Sequence, residues 1–243
     1  MSVDAPPLPT VAADVPRPAK KGWHSHFNGL EYRYDERGIY LRSVADGMEP
    51  LRTPGKPSTC EALWRLAADH ILAASKKYGV APELIMMTIG TESAFARKHG
   101  FSGPFTFRWE PQVSVQDVQP HHLGDYSAGP MQTLATTARW VIRQQGLDYD
   151  PFVVAPDYKQ KPAPPDSHPL YDLKTSIDLG TAVIKQRWTK TQDDPILVSA
   201  AFNAGRVADS SKNRWHLRSF GDHLDRAVEW YGDACAVLAG ASA

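Results

Sequence analysis

Apolar positions along this chain recur mostly with the period of a helix. After Ser58, the residues Leu63, Leu66, Ala67, Ile71 and Ala74 fall on one face until Gly79 stops the run, which predicts an amphipathic helix. Ser58-Thr59-Cys60-Glu61 has the form of a capping box at its start. Pro82 suits the first turn of a second helix, whose Leu84, Ile85, Met86, Met87 and Ile89 spread around the whole cylinder, as in a helix enclosed by a core. Helical periodicity returns over about 130–145 and again through Ile177, Leu179, Ala182, Val183 and Trp188. Two more helices are expected, over about 195–203 with Gly205 placed to end it, and over about 217–238. The fold class read from this pattern is mainly α.

Outside the helices, Pro6, Pro7, Pro9, Pro16 and Pro18 deny residues 1–21 both helix and ladder hydrogen bonds, so a flexible or extended Pro-rich arm is expected there. Residues 30–43 alternate Tyr32 and Tyr34, then Ile39 and Leu41, around Asp35-Glu36-Arg37-Gly38, which predicts a short β-hairpin with Gly38 at positive φ. This is the one β signal in the pattern. Between Ala96 and Tyr126 the periodicity dissolves into Gly, Pro and His with Phe101, Phe105, Phe107 and Trp109 among them, which predicts a long substrate-facing loop. A further loop is expected at 159–166. The division that follows is an arm and hairpin region over 1–57 and a catalytic-size domain over 58–243.

Composition narrows the function. Lys+Arg and Asp+Glu both number 27, so nothing draws the whole molecule to phosphate, and nucleic acid is not expected as a partner. No apolar run approaches the roughly twenty residues of a membrane span. The first 21 residues have no apolar h-region after a basic start, so they do not read as a secretory signal, and synthesis in the cytoplasm is expected. Cys60 and Cys235 lack metal-ligand spacing; buried free thiols are the plain reading and a single disulfide the other. His24-x-His26 and His121-His122 lack the i,i+4 spacing and the third ligand of a zinc helix, so surface or loop histidines are expected, with no metal and no cofactor.

Glu92 comes seven residues after Ile85 and three after Ile89, so the helical period carries it onto or beside an apolar face. Burial there disfavours the charged form and keeps a proton available near neutrality, as cleavage of a glycosidic bond requires. The competing reading is a helix end emerging into water. Three segments decide between them: Thr91-Glu92-Ser93-Ala94-Phe95, Ser127-Ala128-Gly129-Pro130-Met131-Gln132 and Ala200-Ala201-Phe202-Asn203-Ala204-Gly205. Together and in this order, across about 58–238, they resemble the lytic transglycosylases of SLT type, with some likeness to goose-type lysozymes.

The resemblance implies a lysozyme-like helical domain in which Glu92 is general acid and then base. Ser93 would touch sugar or orient the carboxylate, Gly129 would let the glycan approach closely, Met131 and Gln132 would shape the cleft floor, and Asn203 would bond near Glu92 or the substrate. Ser127 and Phe202 belong to the same substrate-binding segments. Each has a duller account, Met131 as core filler, Gln132 as a solvated helix residue and Asn203 as a helix cap. The sequence departs from the family at Pro130, where Leu is usual, at Phe202, where Tyr is usual, and in the length of 96–126. Pro130 is compatible with a first helical turn.

The reaction implied is cleavage of peptidoglycan between N-acetylmuramic acid and N-acetylglucosamine with formation of 1,6-anhydro ends. The rival is muramidase hydrolysis with Asp125 activating water, with Glu110 and Asp117 also available; a turn-forming Asp after Gly124 is its plain reading. A non-catalytic peptidoglycan-binding module is the alternative of another class, and an unshifted, fully exposed Glu92 would favour it. Ser127 does not fit a nucleophile elbow, because Gly124 to Gly129 is one residue too long. Action in the periplasm or on the wall after phage lysis or secretion-system delivery is expected of a monomer, with a delivery apparatus or an immunity or inhibitor protein as candidate partners.

Overall fold

A computed structural model describes residues 6–43, 48–159 and 167–241. The loop expected at 159–166 lies outside the described residues except for Lys159, as do the first five residues of the arm. The helices are α1 (Ser58–Tyr78), α2 (Pro82–Ser93), α3 (Ala135–Gln145), α4 (Pro151–Val154), α5 (Leu173–Gln186), α6 (Trp188–Thr191), α7 (Pro195–Ala204) and α8 (His223–Ala241). Two antiparallel three-stranded sheets accompany them: β1 (Lys21–His24), β2 (Tyr32–Asp35) and β3 (Gly38–Leu41), then β4 (Arg108–Val115), β5 (His122–Ala128) and β6 (Thr133–Leu134). The fold is mainly α, and among the described residues no helix is long and apolar enough to cross a membrane.

α2 is the axis of the molecule. Every residue from Pro82 to Ser93 is buried except Glu92. Leu84, Ile85, Met86, Met87 and Ile89 are each at most 1% exposed, and five such side chains contribute roughly 7–15 kcal/mol of gross burial energy. That exceeds the cost of enclosing one carboxyl in its neutral form. α8 packs along α2, and Gly90 makes room for it, since a Cβ there would press into the Trp230 ring at 2.9 Å.

Several boundaries differ from those the sequence predicts. Ser58 is not the cap of α1: Pro57 occupies that position, and the Ser58 and Thr59 hydroxyls accept from Arg97 instead of closing a capping box. Leu66 turns outward at 47% exposed. α3 begins at Ala135 rather than near 130, because Gln132 takes a left-handed φ of 48° and residues 133–134 pair with 127–128 as β6. α8 begins at His223, after a loop closed by the Asp209–Leu217 bridge. The predicted hairpin is present, Asp35 pairing with Gly38 at φ 139°, and β1 adds a third strand to it.

The expected loop at 96–126 is the largest correction. Much of it is the β4–β5 hairpin, with Arg108 opposite Ser127 and Val115 opposite His122. β4 buries only Val115, so it lacks the apolar alternation that would announce a strand. The arm is extended, yet it is fastened to the helices. Val11 and Val15 are buried, Val11 donates its N–H to Ala241, Trp64 donates to the Pro9 carbonyl, and Lys76 pairs with Asp14 at 2.9 Å. Cys60 and Cys235 are buried free thiols.

Candidate functional site

The last turn of α2 delivers Glu92 to the one point where this buried helix meets solvent, with its side chain 17% exposed. Burial pushes the carboxyl up to about 8; Arg226 and Arg108 oppose the shift, and Glu110 reinforces it. The group therefore holds its proton near neutrality while its oxygen can still reach a ligand. His223, from the first turn of α8, sits with Nε2 at 3.7 Å from Glu92 Oε1. Its burial and the nearby Arg226 hold the imidazole down at about 3, so at neutral pH the two face each other uncharged rather than as an ion pair. Arg226, one turn further along α8, donates to the Thr91 carbonyl at 2.7 Å and anchors the α2 end from outside. From β4, Arg108 and Glu110 pair at 3.0 Å and complete the electrostatic surroundings.

Ser93 is fully buried. Its hydroxyl donates to the Pro130 carbonyl at 2.7 Å, fastening the end of α2 to the turn that follows β5. It is not open to a sugar. Gly129, at φ 81°, donates its N–H to Thr106 Oγ1. A Cβ there would sit inside the Leu170 carbonyl oxygen, so the backbone that approaches this glycine is the protein's own rather than a glycan. Met131 is buried against Gly180 and fills core instead of a cleft floor. Gln132 is not a helix residue; its amide donates to the carbonyls of Gly129 and Thr106, and its Oε1 accepts from Ser127. The segment 127–132 is thus a knot of side-chain and backbone bonds beneath the Glu92 end of α2.

Asn203, at the C-terminal end of α7, accepts from the Phe220 N–H at 2.8 Å. It fixes the loop that leads into His223, and acts near Glu92 only through that loop. Phe202 is half-buried against the core. Asp125 is 3% exposed, and its Oδ2 accepts from both the N–H and the hydroxyl of Thr136 in the first turn of α3. Burial raises its pKa against those bonds. Sealed in this way, it offers no oxygen to a water molecule. Asp117 is likewise committed, bound by Arg139 and Arg143.

His223 and Arg226 are the neighbours of Glu92 that the sequence did not single out. Both lie in a helix whose start was misplaced, and no motif marks them. Phe95 and Phe220, both largely exposed, stand on the segments that border Glu92 and His223. The arrangement can deliver a proton from a largely shielded carboxyl and take one back, with neutral His223 beside it, the guanidinium of Arg226 biasing it from α8 and Arg108 and Glu110 from β4. Residues 69–218 match the family model described as the transglycosylase SLT domain. No curated protein matches the chain significantly.

Proposed function

Because the chain belongs to the transglycosylase SLT domain family, whose members cut glycosidic bonds of peptidoglycan, we propose that Glu92 is both acid and base in breaking the β-1,4 bond between N-acetylmuramic acid and N-acetylglucosamine. The carrying observation is a carboxyl at the solvent-reaching end of a buried helix, whose burial pushes its pKa up to about 8 and so keeps it mostly protonated near neutrality. Glu92 gives its proton to the oxygen leaving C1 as positive charge develops at that carbon. The resulting carboxylate takes the proton of the same sugar's C6 hydroxyl, whose oxygen bonds to C1 and closes a 1,6-anhydro ring. The glycosidic bond breaks, one C–O bond forms, and Glu92 returns to its starting state without a second carboxylate. The sealed position of Asp125 favours this course over hydrolysis through that residue. The exposed Phe95 and Phe220 offer flat apolar faces for pyranose rings.

Mass spectrometry of fragments released from purified peptidoglycan tests the reading. Anhydro-muramyl ends from the wild type, absent with a folded Glu92→Gln variant, are the expected result. Reducing ends would overturn it in favour of hydrolysis, and Glu110, which acts electrostatically on Glu92 from β4, would then be the carboxylate to replace. Binding without fragments would instead favour a non-catalytic module.

A further inference from the structure

The reaction proposed above makes no use of His24 and His26. His24 ends β1 and His26 follows it by two residues, and their Nε2 atoms face one oxygen of Asp194 at 3.0 and 3.2 Å. Asp194 caps α7 and is 3% exposed. Its other oxygen accepts from the N–H groups of Ile196 and Leu197, and the Tyr32 hydroxyl lies within reach of both carboxylate oxygens, at 2.7 and 2.8 Å. The third ligand that the sequence pattern lacked is therefore supplied from the far side of the chain.

The tautomer of His24 follows from one bond. The Gly22 carbonyl can only accept, so His24 Nδ1, 2.7 Å away, carries a hydrogen. A neutral ring in that tautomer turns the Nε2 lone pair toward a carboxylate oxygen that also offers only lone pairs. The contact becomes attractive when a cation stands between them, either a second ring proton or a metal ion. His26 brings a second imidazole nitrogen to the same oxygen, and the three ligand atoms lie within 4.8 Å of one another. The two N···O separations are close to the edge, about 3.3 Å, of a tetrahedron with metal–ligand bonds of about 2.0–2.1 Å. The Gly22 carbonyl on His24, and Tyr32 and the α7 amides on Asp194, are outer partners of the kind that orient metal ligands.

We propose that His24, His26 and Asp194 bind a divalent transition-metal ion of the zinc class, which staples the N-terminal sheet to the start of α7. Two imidazoles and one carboxylate suit zinc better than the all-oxygen preference of calcium or magnesium. A groove lined by Lys21, Tyr34, Lys190, Gln192 and Asp194 borders the cluster on its Asp194 side. The site is remote in sequence from Glu92, and the inference does not rest on the role given to that residue.

The test uses the full chain, stripped with a chelator and titrated with zinc against a chromophoric competitor, with thermal unfolding recorded in parallel. One equivalent bound at micromolar zinc or below, with a raised melting temperature, is expected. His24→Ala and His26→Ala should each weaken binding at least tenfold, whereas His121→Ala and His122→Ala leave it unchanged. Cobalt(II) in place of zinc should give the intense visible bands of a tetrahedral site. Absence of a tight equivalent would overturn the proposal and leave a hydrogen-bonded histidine–aspartate cluster. Binding that survives both His24 and His26 replacements, or follows His121 and His122, would overturn it equally. Because Asp194→Asn also alters the α7 cap, the histidine variants carry the decision.

Discussion

Replacing Glu92 by Gln should abolish cleavage and also stabilise the protein, by an amount that grows with pH. In the unfolded chain this carboxyl ionises at its ordinary value of 4.5, whereas in the folded protein burial delays ionisation to about 8. Across that window the unfolded state binds fewer protons than the folded one, so the wild type loses stability as pH rises. The loss relative to strong acid is about 1 kcal/mol by pH 5 and about 4 kcal/mol by pH 8. The Gln variant has nothing to titrate at this position. Any constant difference between carboxyl and amide cancels when two pH values are compared, as do the other titrating groups common to both proteins. The stability difference between variant and wild type should therefore widen by about 3–4 kcal/mol from pH 5 to pH 8. Urea unfolding at pH 5, 6, 7 and 8 reads this directly. Parallel stability curves would refute the raised pKa, and with it the idea that the end of α2 stores a proton.

Three other changes examine the surroundings of that proton. Arg226 pulls the Glu92 pKa down, so Arg226→Met should move the alkaline limb of kcat/KM to higher pH and Arg226→Lys should restore it; an unmoved limb would exclude the coupling. Asp125→Ala leaves the Thr136 N–H without its acceptor and should cost about 1–2 kcal/mol in urea unfolding, with the chemical nature of the product ends unchanged. A folded Asp125→Ala protein that makes no product would return Asp125 to the chemistry. Gly129→Ala drives a Cβ into the Leu170 carbonyl at a φ of 81° and should destabilise by about 3 kcal/mol or more; near-normal melting would show that the turn can relax.

The apolar pattern was sufficient for the helices that carry the site, and its reach can be traced residue by residue. α2 was legible because apolar side chains all round a cylinder have no other accommodation than a core, and α7 because Pro195 and Gly205 mark its two ends. Glu92 stood out as a carboxylate on such a helix, but it was the three motif segments and their resemblance that chose it over a helix end in water. The β4–β5 hairpin was not legible, since every residue of β4 before Val115 is exposed or partly exposed and its pairing is decided by the partner strand. The interior positions of Ser93, Gly129 and Met131 depend on Pro130, Leu170 and Gly180, contacts that no local spacing encodes. The same limit hid His223 behind Glu92 and Asp194 behind His24, pairs that only the closed chain brings together.

One consequence concerns attachment. α8 begins beside Glu92 and ends where Ala241 accepts the Val11 N–H, and its 19 residues make a rod about 28 Å long at 1.5 Å per residue. Val11 of the arm and Ala241, the last described residue, therefore meet at the end of α8 away from the carboxyl. A carrier, dye or surface linker joined near Val11 or Ala241 would be held a helix length away from the glycan, leaving the working end of the molecule free to meet a flat, insoluble polymer.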